Sequence, residues 1–170
     1  MILNFRQVAA SDGPVEFHKA LDVSHVVKGR NDITGVDLLQ VDLKAQPVGD
    51  EVVTVYGHLT TRLEMSCSRC LKPLNRKIDI NFNESFKQSE EAEAELLDED
   101  EDLQIVTEDR VDLGPYVEES FLLSLPYSAV CSDSCKGLCP NCGTDLNVEQ
   151  CSCDTEVIDP RLAGLKDFFK

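Results

Sequence analysis

Apolar residues recur along this chain with two different periods. In Val15-Glu16-Phe17-His18-Lys19-Ala20-Leu21-Asp22-Val23 they fall at 15, 17, 21 and 23, the two-residue period of a strand with one buried face. Residues 35–46 alternate around Val36, Leu38, Val41 and Leu43 in an imperfect register, and Pro47-Val48-Gly49-Asp50 reads as a turn. A long β-rich run over 51–65 follows, in which Gly57 predicts a bulge. Beyond Cys67–Pro73, residues 74–87 alternate again at Ile78, Ile80 and Phe82, with Phe86 in phase. Two long strands around a short loop make an antiparallel hairpin, and its tip carries Cys67-Ser68-Arg69-Cys70. Short strands are also expected at 2–8 and 103–106, and Lys28 to Asp32 reads as a polar turn.

Helical spacing appears later. Asp112 is a plausible N-cap, and apolar groups at 113, 117, 121, 122 and 125 line one face of a helix that Pro126 ends. In the tail, Asp159-Pro160-Arg161 predicts a helix start, with Leu162, Leu165, Phe168 and Phe169 along one side. The fold class that follows is α+β. A mostly antiparallel, curved sheet packs against one helix, with a cysteine-rich tail. The expected organisation is a β-rich core over 1–126 and a tail over 127–170.

Charge divides the chain further. The net charge is −16, but residues 1–83 are neutral, with ten acidic and ten basic side chains. Residues 84–119 hold fifteen acids against two bases, concentrated in QSEEAEAELLDEDED at 88–102. Such a block repels itself and reads as an acidic loop, or as an arm for a basic partner. A uniformly acidic protein binds nucleic acid poorly, because phosphate contacts need Lys and Arg. A neutral body with one acidic segment leaves room for a local RNA contact. The candidate is the hairpin tip, where Arg62, Arg69, Lys72, Arg76 and Lys77 cluster in sixteen residues that contain one acid, Glu64.

Eight cysteines complete the picture: C-x2-C at 67/70, C-x3-C at 131/135, C-x2-C at 139/142 and C-x-C at 151/153. The opening residues MILNFRQVAA hold no signal-peptide core, and no stretch approaches the ~18 apolar residues of a membrane span. A cytoplasmic location is therefore expected, where thiols stay reduced and clustered cysteines favour metal over disulfides. Structural zinc takes four soft donors at tetrahedral corners. Cys139-Pro140-Asn141-Cys142-Gly143 is a good knuckle, in which Gly143 accepts the positive φ that turns backbone N–H groups towards sulfur. Eight thiols match two four-cysteine sites arithmetically: Cys67, Cys70, Cys131, Cys135, Cys139, Cys142, Cys151 and Cys153. Spacing does not assign the pairs, so one or two zinc ions are expected. The same thiolate sets also suit iron.

Catalytic groups are not evident. His18, His25 and His58 lie in the first 60 residues with no nucleophile motif beside them, and the strand phase puts His18 and His58 on an exposed face. The expectation is a binding protein, not an enzyme, without a small-molecule substrate. The C-x2-C followed by C-x-C, in an acidic chain, also allows a zinc-dependent redox-switched chaperone.

Cys67-Ser68-Arg69-Cys70-Leu71 at a hairpin, a helix ending in Leu125-Pro126, the run Cys135-Lys136-Gly137-Leu138-Cys139-Pro140-Asn141-Cys142-Gly143-Thr144-Asp145-Leu146-Asn147, then Cys151-Ser152-Cys153 and Asp159-Pro160-Arg161-Leu162-Ala163-Gly164-Leu165-Lys166 together resemble the bacterial YceD family. Its members are called large ribosomal RNA subunit accumulation proteins. The resemblance implies a role in 23S ribosomal RNA accumulation and large-subunit biogenesis. The implied partner is large-subunit RNA or a precursor particle, with a basic ribosomal protein as a further possibility.

Overall fold

In a computed structural model, residues 1–49, 51–89 and 103–154 are described. Most of the expected acidic loop at 88–102, and the expected helix beginning at Asp159, lie outside them. The chain forms two compact units. The first comprises Met1–Met65 and Asn75–Tyr127; the second comprises Ser66–Leu74 and Ser128–Lys170.

The architecture is α+β and mostly strand. In chain order the elements are β1 (Ile2–Asn4), α1 (Phe5–Ala9), β2 (Val15–Leu21), β3 (Ile33–Val36), β4 (Leu39–Pro47), β5 (Val52–Ser66), β6 (Pro73–Gln88), β7 (Leu103–Val106), β8 (Arg110–Asp112) and α2 (Gly114–Leu123). The main sheet runs β2-β4-β5-β6-β7, with β3 also paired to β5, and β1 pairs separately with β8. With β2 and β7 at its edges the sheet is open. The β2–β4, β4–β5 and β3–β5 pairs are antiparallel, and β6–β7 is parallel.

The strands form because one face of each is apolar. Leu39, Val41, Leu43 and Ala45 of β4 are buried, with polar residues between them. Val53, Val55, Leu59, Leu63 and Met65 of β5 and Ile80, Phe82 and Phe86 of β6 continue that face. Burying each large side chain stabilises the unit by roughly 1.5–3 kcal/mol. The first unit's core also takes in Val117 and Phe121 of α2, and Phe86 meets Tyr116 edge-on with ring centroids 4.9 Å apart.

Four expectations change. Residues 2–8 are not one strand: Asn4 accepts a hydrogen bond from the Gln7 amide and turns the chain into α1, a helix that the sequence pattern did not predict. The imperfect register over 35–46 is a break between β3 and β4 at Asp37 and Leu38. Asp112 is not the N-cap of α2; Leu113 occupies that place, and the Asp112 carboxylate accepts from the Gly114 amide at 3.0 Å. The bulge expected at Gly57 is absent, since β4 and β5 pair without interruption through Leu43 and Gly57. Glycine is needed there for room: a Cβ would stand 2.1 Å from the Asp42 carbonyl oxygen, at a φ of +155°.

On the face opposite the core, His18 and His58 are exposed as their phase predicts. His18 Nδ1 lies 2.7 Å from Asp42, and Asp42 and Glu16 together raise its pKa. Among the described residues no helix is long and apolar enough to cross a membrane.

Replacing Gly57 with alanine should destabilise the first unit by about 1–3 kcal/mol through overpacking against β4. Denaturant unfolding checks this; unchanged stability would mean that the close approach is easily relaxed.

Candidate metal centres

The second unit is built around sulfur. Its first segment is the loop between β5 and β6. The Cys67 amide donates to the Lys72 carbonyl at 2.8 Å, and the Leu71 amide to the Cys67 carbonyl at 2.9 Å, closing a tight knuckle. Its second segment repeats the device, with the Gly143 amide donating to the Cys139 carbonyl at 2.8 Å. Gly143 takes a φ of +75°, as the knuckle pattern predicts.

The eight cysteines gather into two sets of four, Cys67/Cys70/Cys131/Cys135 and Cys139/Cys142/Cys151/Cys153. Within each set all four sulfurs lie within 4.8 Å of one another. In the first set Cys70 and Cys131 are 3.6 Å apart and Cys67 and Cys135 are 4.0 Å apart. These distances exclude disulfides, whose sulfurs sit at about 2.05 Å. They bracket the separation of about 3.8 Å imposed by tetrahedral coordination with bonds of about 2.3 Å. The assignment that spacing left open is thus made by geometry: the hairpin pair joins the C-x3-C pair, and the second set is local.

The two sets differ in access. Cys67, Cys70 and Cys135 are buried together against Leu74, Val130 and Leu138, and only Cys131 is exposed. In the second set Cys139 is buried, Cys142 exposed, and Cys151 and Cys153 half-buried. Each set shows the electrostatic strain of crowded thiols. Backbone N–H groups of the knuckle, led by that of Cys70, pull the Cys67 thiol down to about 6. Cys135, followed by Cys70, pushes Cys131 up to about 12. Likewise Thr144 lowers Cys142 to about 6, and Cys142 raises Cys153 to about 12. Four thiols cannot all ionise this close together without a cation to offset the repulsion, which is the chemistry of a metal site.

Side chains around the first set support it. Asn147 Nδ2 donates to Cys135 Sγ at 3.5 Å, and its Oδ1 accepts from the Lys136 amide at 2.8 Å. The Cys131 amide donates to Cys67 Sγ at 3.4 Å. Nothing in the spacing pointed to Asn147; its part emerges only once the chain is folded. Such outer contacts orient metal ligands and tune their basicity.

The basic cluster read from the sequence divides between the units. Arg69 Nη1 donates to the carbonyls of Cys135 at 2.8 Å and Asp133 at 3.1 Å. Lys72 pairs with Asp145 at 2.7 Å, and its ammonium, with help from the Asn147 amide, holds that carboxyl down at about 2. These two cations are engaged with the cysteine segment. Arg62, Arg76 and Lys77 belong to the first unit and are exposed. Between β5 and β6 the contacts of Glu51 with Gln88, Thr54 with Ser85 and Cys67 with Lys72 keep one register, which sets Arg62 opposite Lys77. The pair lines a hollow of about 450 Å³ with Asp37, Leu38, Gln40 and Thr60.

Residues 55–169 match the family described as Large ribosomal RNA subunit accumulation protein YceD. The chain belongs to the YceD family. It is 36% identical to an uncharacterized protein of Mycobacterium tuberculosis over 75% of this chain and 60% of that protein. It is 29% identical to the uncharacterized protein YlbN of Bacillus subtilis, over 91% of this chain and 88% of that protein. A chloroplastic protein of Arabidopsis thaliana, named Large ribosomal RNA subunit accumulation protein YCED homolog 1, is 25% identical over 61% of this chain and 40% of its own length. The chain thus spans about 60% of the length of the first curated relatives that it matches. No solved structure matches the chain significantly.

Titration with Co²⁺ should give two tetrathiolate sites per chain. Cys67→Ser should abolish one and Cys151→Ser the other, leaving one bound ion in each variant. Lowering the pH should release the ions, because protons compete for thiolate. Loss of both ions from either single variant would show that the sets are not independent.

Proposed function

We propose that the chain is a non-enzymatic cytoplasmic factor supporting 23S ribosomal RNA accumulation and large-subunit biogenesis, acting by binding RNA or a ribosomal protein on a precursor particle. The observation that carries this reading is the family match, whose description names large-subunit ribosomal RNA and not a chaperone.

Each four-cysteine set, in this reading, holds one structural zinc. Four thiols converge in both, leaving no protein-free corner for a substrate, as closed structural sites require. The ions would fix the two knuckles, where short loops offer little apolar surface, and so contribute folding free energy directly. Two zinc atoms per chain in metal analysis of the isolated protein support this; iron instead would overturn it.

The RNA contact is placed at Arg62 and Lys77, with Arg76 on the same strand pair. Two like charges facing each other across a strand pair destabilise a sheet, and Asp79, 3.5 Å from the Lys77 ammonium on an exposed surface, offsets only part of that. They suit a site that meets phosphate. Arg69 and Lys72 have another role in this reading, as counter-charges to the anionic cysteine centre.

Depleting the protein should lower 23S relative to 16S RNA; an unchanged ratio would contradict the role. Charge reversal at Arg62 and Lys77 together should cut co-sedimentation with precursor large-subunit particles at least tenfold without loss of zinc. Reversal at Arg69 or Lys72 should instead weaken metal retention. If the first variant still co-sediments, the hollow is not the contact.

A further inference from the structure

Leu71 is the one non-glycine residue with positive φ among the described residues, at 59°. It directly follows the second cysteine of the hairpin knuckle. In the other knuckle the corresponding position is Gly143, at a φ of +75°. The two turns are built alike, since each of these residues donates its amide to the carbonyl of the first cysteine. A side chain in the left-handed region crowds the following carbonyl, a steric cost that glycine avoids.

Packing within the chain does not offset that cost. Leu71 is 65% exposed, and the buried cluster here consists of Cys67, Cys70 and Cys135 with Leu74, Val130 and Leu138. The knuckle therefore holds a branched apolar side chain in water, on a strained backbone, where its twin uses glycine. Pro73, also exposed, extends the apolar tip. Strain and exposure are separate disadvantages; a pocket on a partner removes the exposure, and the contacts made there offset the strain.

The surrounding charge identifies that partner's chemistry. The described part of the second unit carries Asp133, Asp145, Glu149 and Asp154 against Arg69, Lys72 and Lys136. Arg69 and Lys72 are engaged internally. On the zinc reading above, each tetrathiolate centre adds two negative charges. With Arg69 and Lys72 beside Leu71 turned onto the cysteine segment, a unit of this net sign disfavours phosphates and attracts a basic protein face. We propose that Leu71 is the apolar anchor of a docking surface by which the cysteine unit engages an apolar pocket on a basic protein of the large ribosomal subunit.

The test uses the zinc-loaded full chain with two probes: purified large-subunit ribosomal proteins presented singly, and protein-free 23S RNA. The unaltered chain should bind at least one basic ribosomal protein. Leu71→Gly should keep its zinc, raise the unfolding temperature and weaken that binding at least tenfold, whereas Leu71→Met should retain affinity. Leu71→Asn, which tolerates positive φ while losing the apolar contact, should weaken binding as the glycine variant does. Equal affinity in Leu71→Gly, a lowered unfolding temperature, or loss of RNA binding alone would overturn the proposal while leaving the ribosomal reading in place. Failure of the unaltered chain to bind either probe would overturn both.

Discussion

Four sulfurs from two distant stretches of chain meet within bonding reach of one ion, and the second unit depends on that meeting. Cys67 and Cys70 come from a hairpin tip; Cys131 and Cys135 follow some sixty residues later. Between them the chain leaves for the first unit at Asn75 and returns after Tyr127. A link across so long a loop removes considerable freedom from the unfolded chain. The buried neighbours of these sulfurs are few, so apolar burial contributes little cohesion here, and a metal ion held by the four thiols would supply folding free energy directly.

Around that centre, charges have assigned places. Arg69 reaches carbonyls of the cysteine segment, Lys72 pairs with Asp145, and Asp145 in turn accepts from Asn147, whose amide touches Cys135. One polar chain thus runs from the hairpin tip to the Cys135 sulfur. Arg62 and Lys77 face each other on the open side of the sheet and lack such engagement with the cysteines. Residues that the sequence groups as one basic cluster therefore divide into a structural pair, an outward-facing pair, and Arg76, which is exposed on β6.

Much of this was legible beforehand, and the gaps have physical causes. The long hairpin followed from period-two alternation at Ile78, Ile80, Phe82 and Phe86, and Gly143 followed from knuckle geometry. The two-site count followed from arithmetic. The sharing of thiols did not, because proximity of Cys67 to Cys135 is set by tertiary structure and not by spacing. The turn at Asn4 was missed because one side-chain hydrogen bond outweighs an apolar pattern over so few residues. A glycine inside a strand pattern predicts a bulge, and sequence cannot show the nearness of the Asp42 carbonyl that requires Gly57 instead. The strain at Leu71 has no mark in the sequence and appears only when its φ is set beside that of Gly143.

Cadmium-113 NMR of the metal-exchanged protein tests the central claim most directly, through couplings from each ion to cysteine β-protons. The account predicts two resonances in the tetrathiolate range, one coupled to Cys67, Cys70, Cys131 and Cys135 together and the other to the remaining four. An ion coupled to Cys67 and Cys70 alongside any of Cys139, Cys142, Cys151 or Cys153 would contradict it.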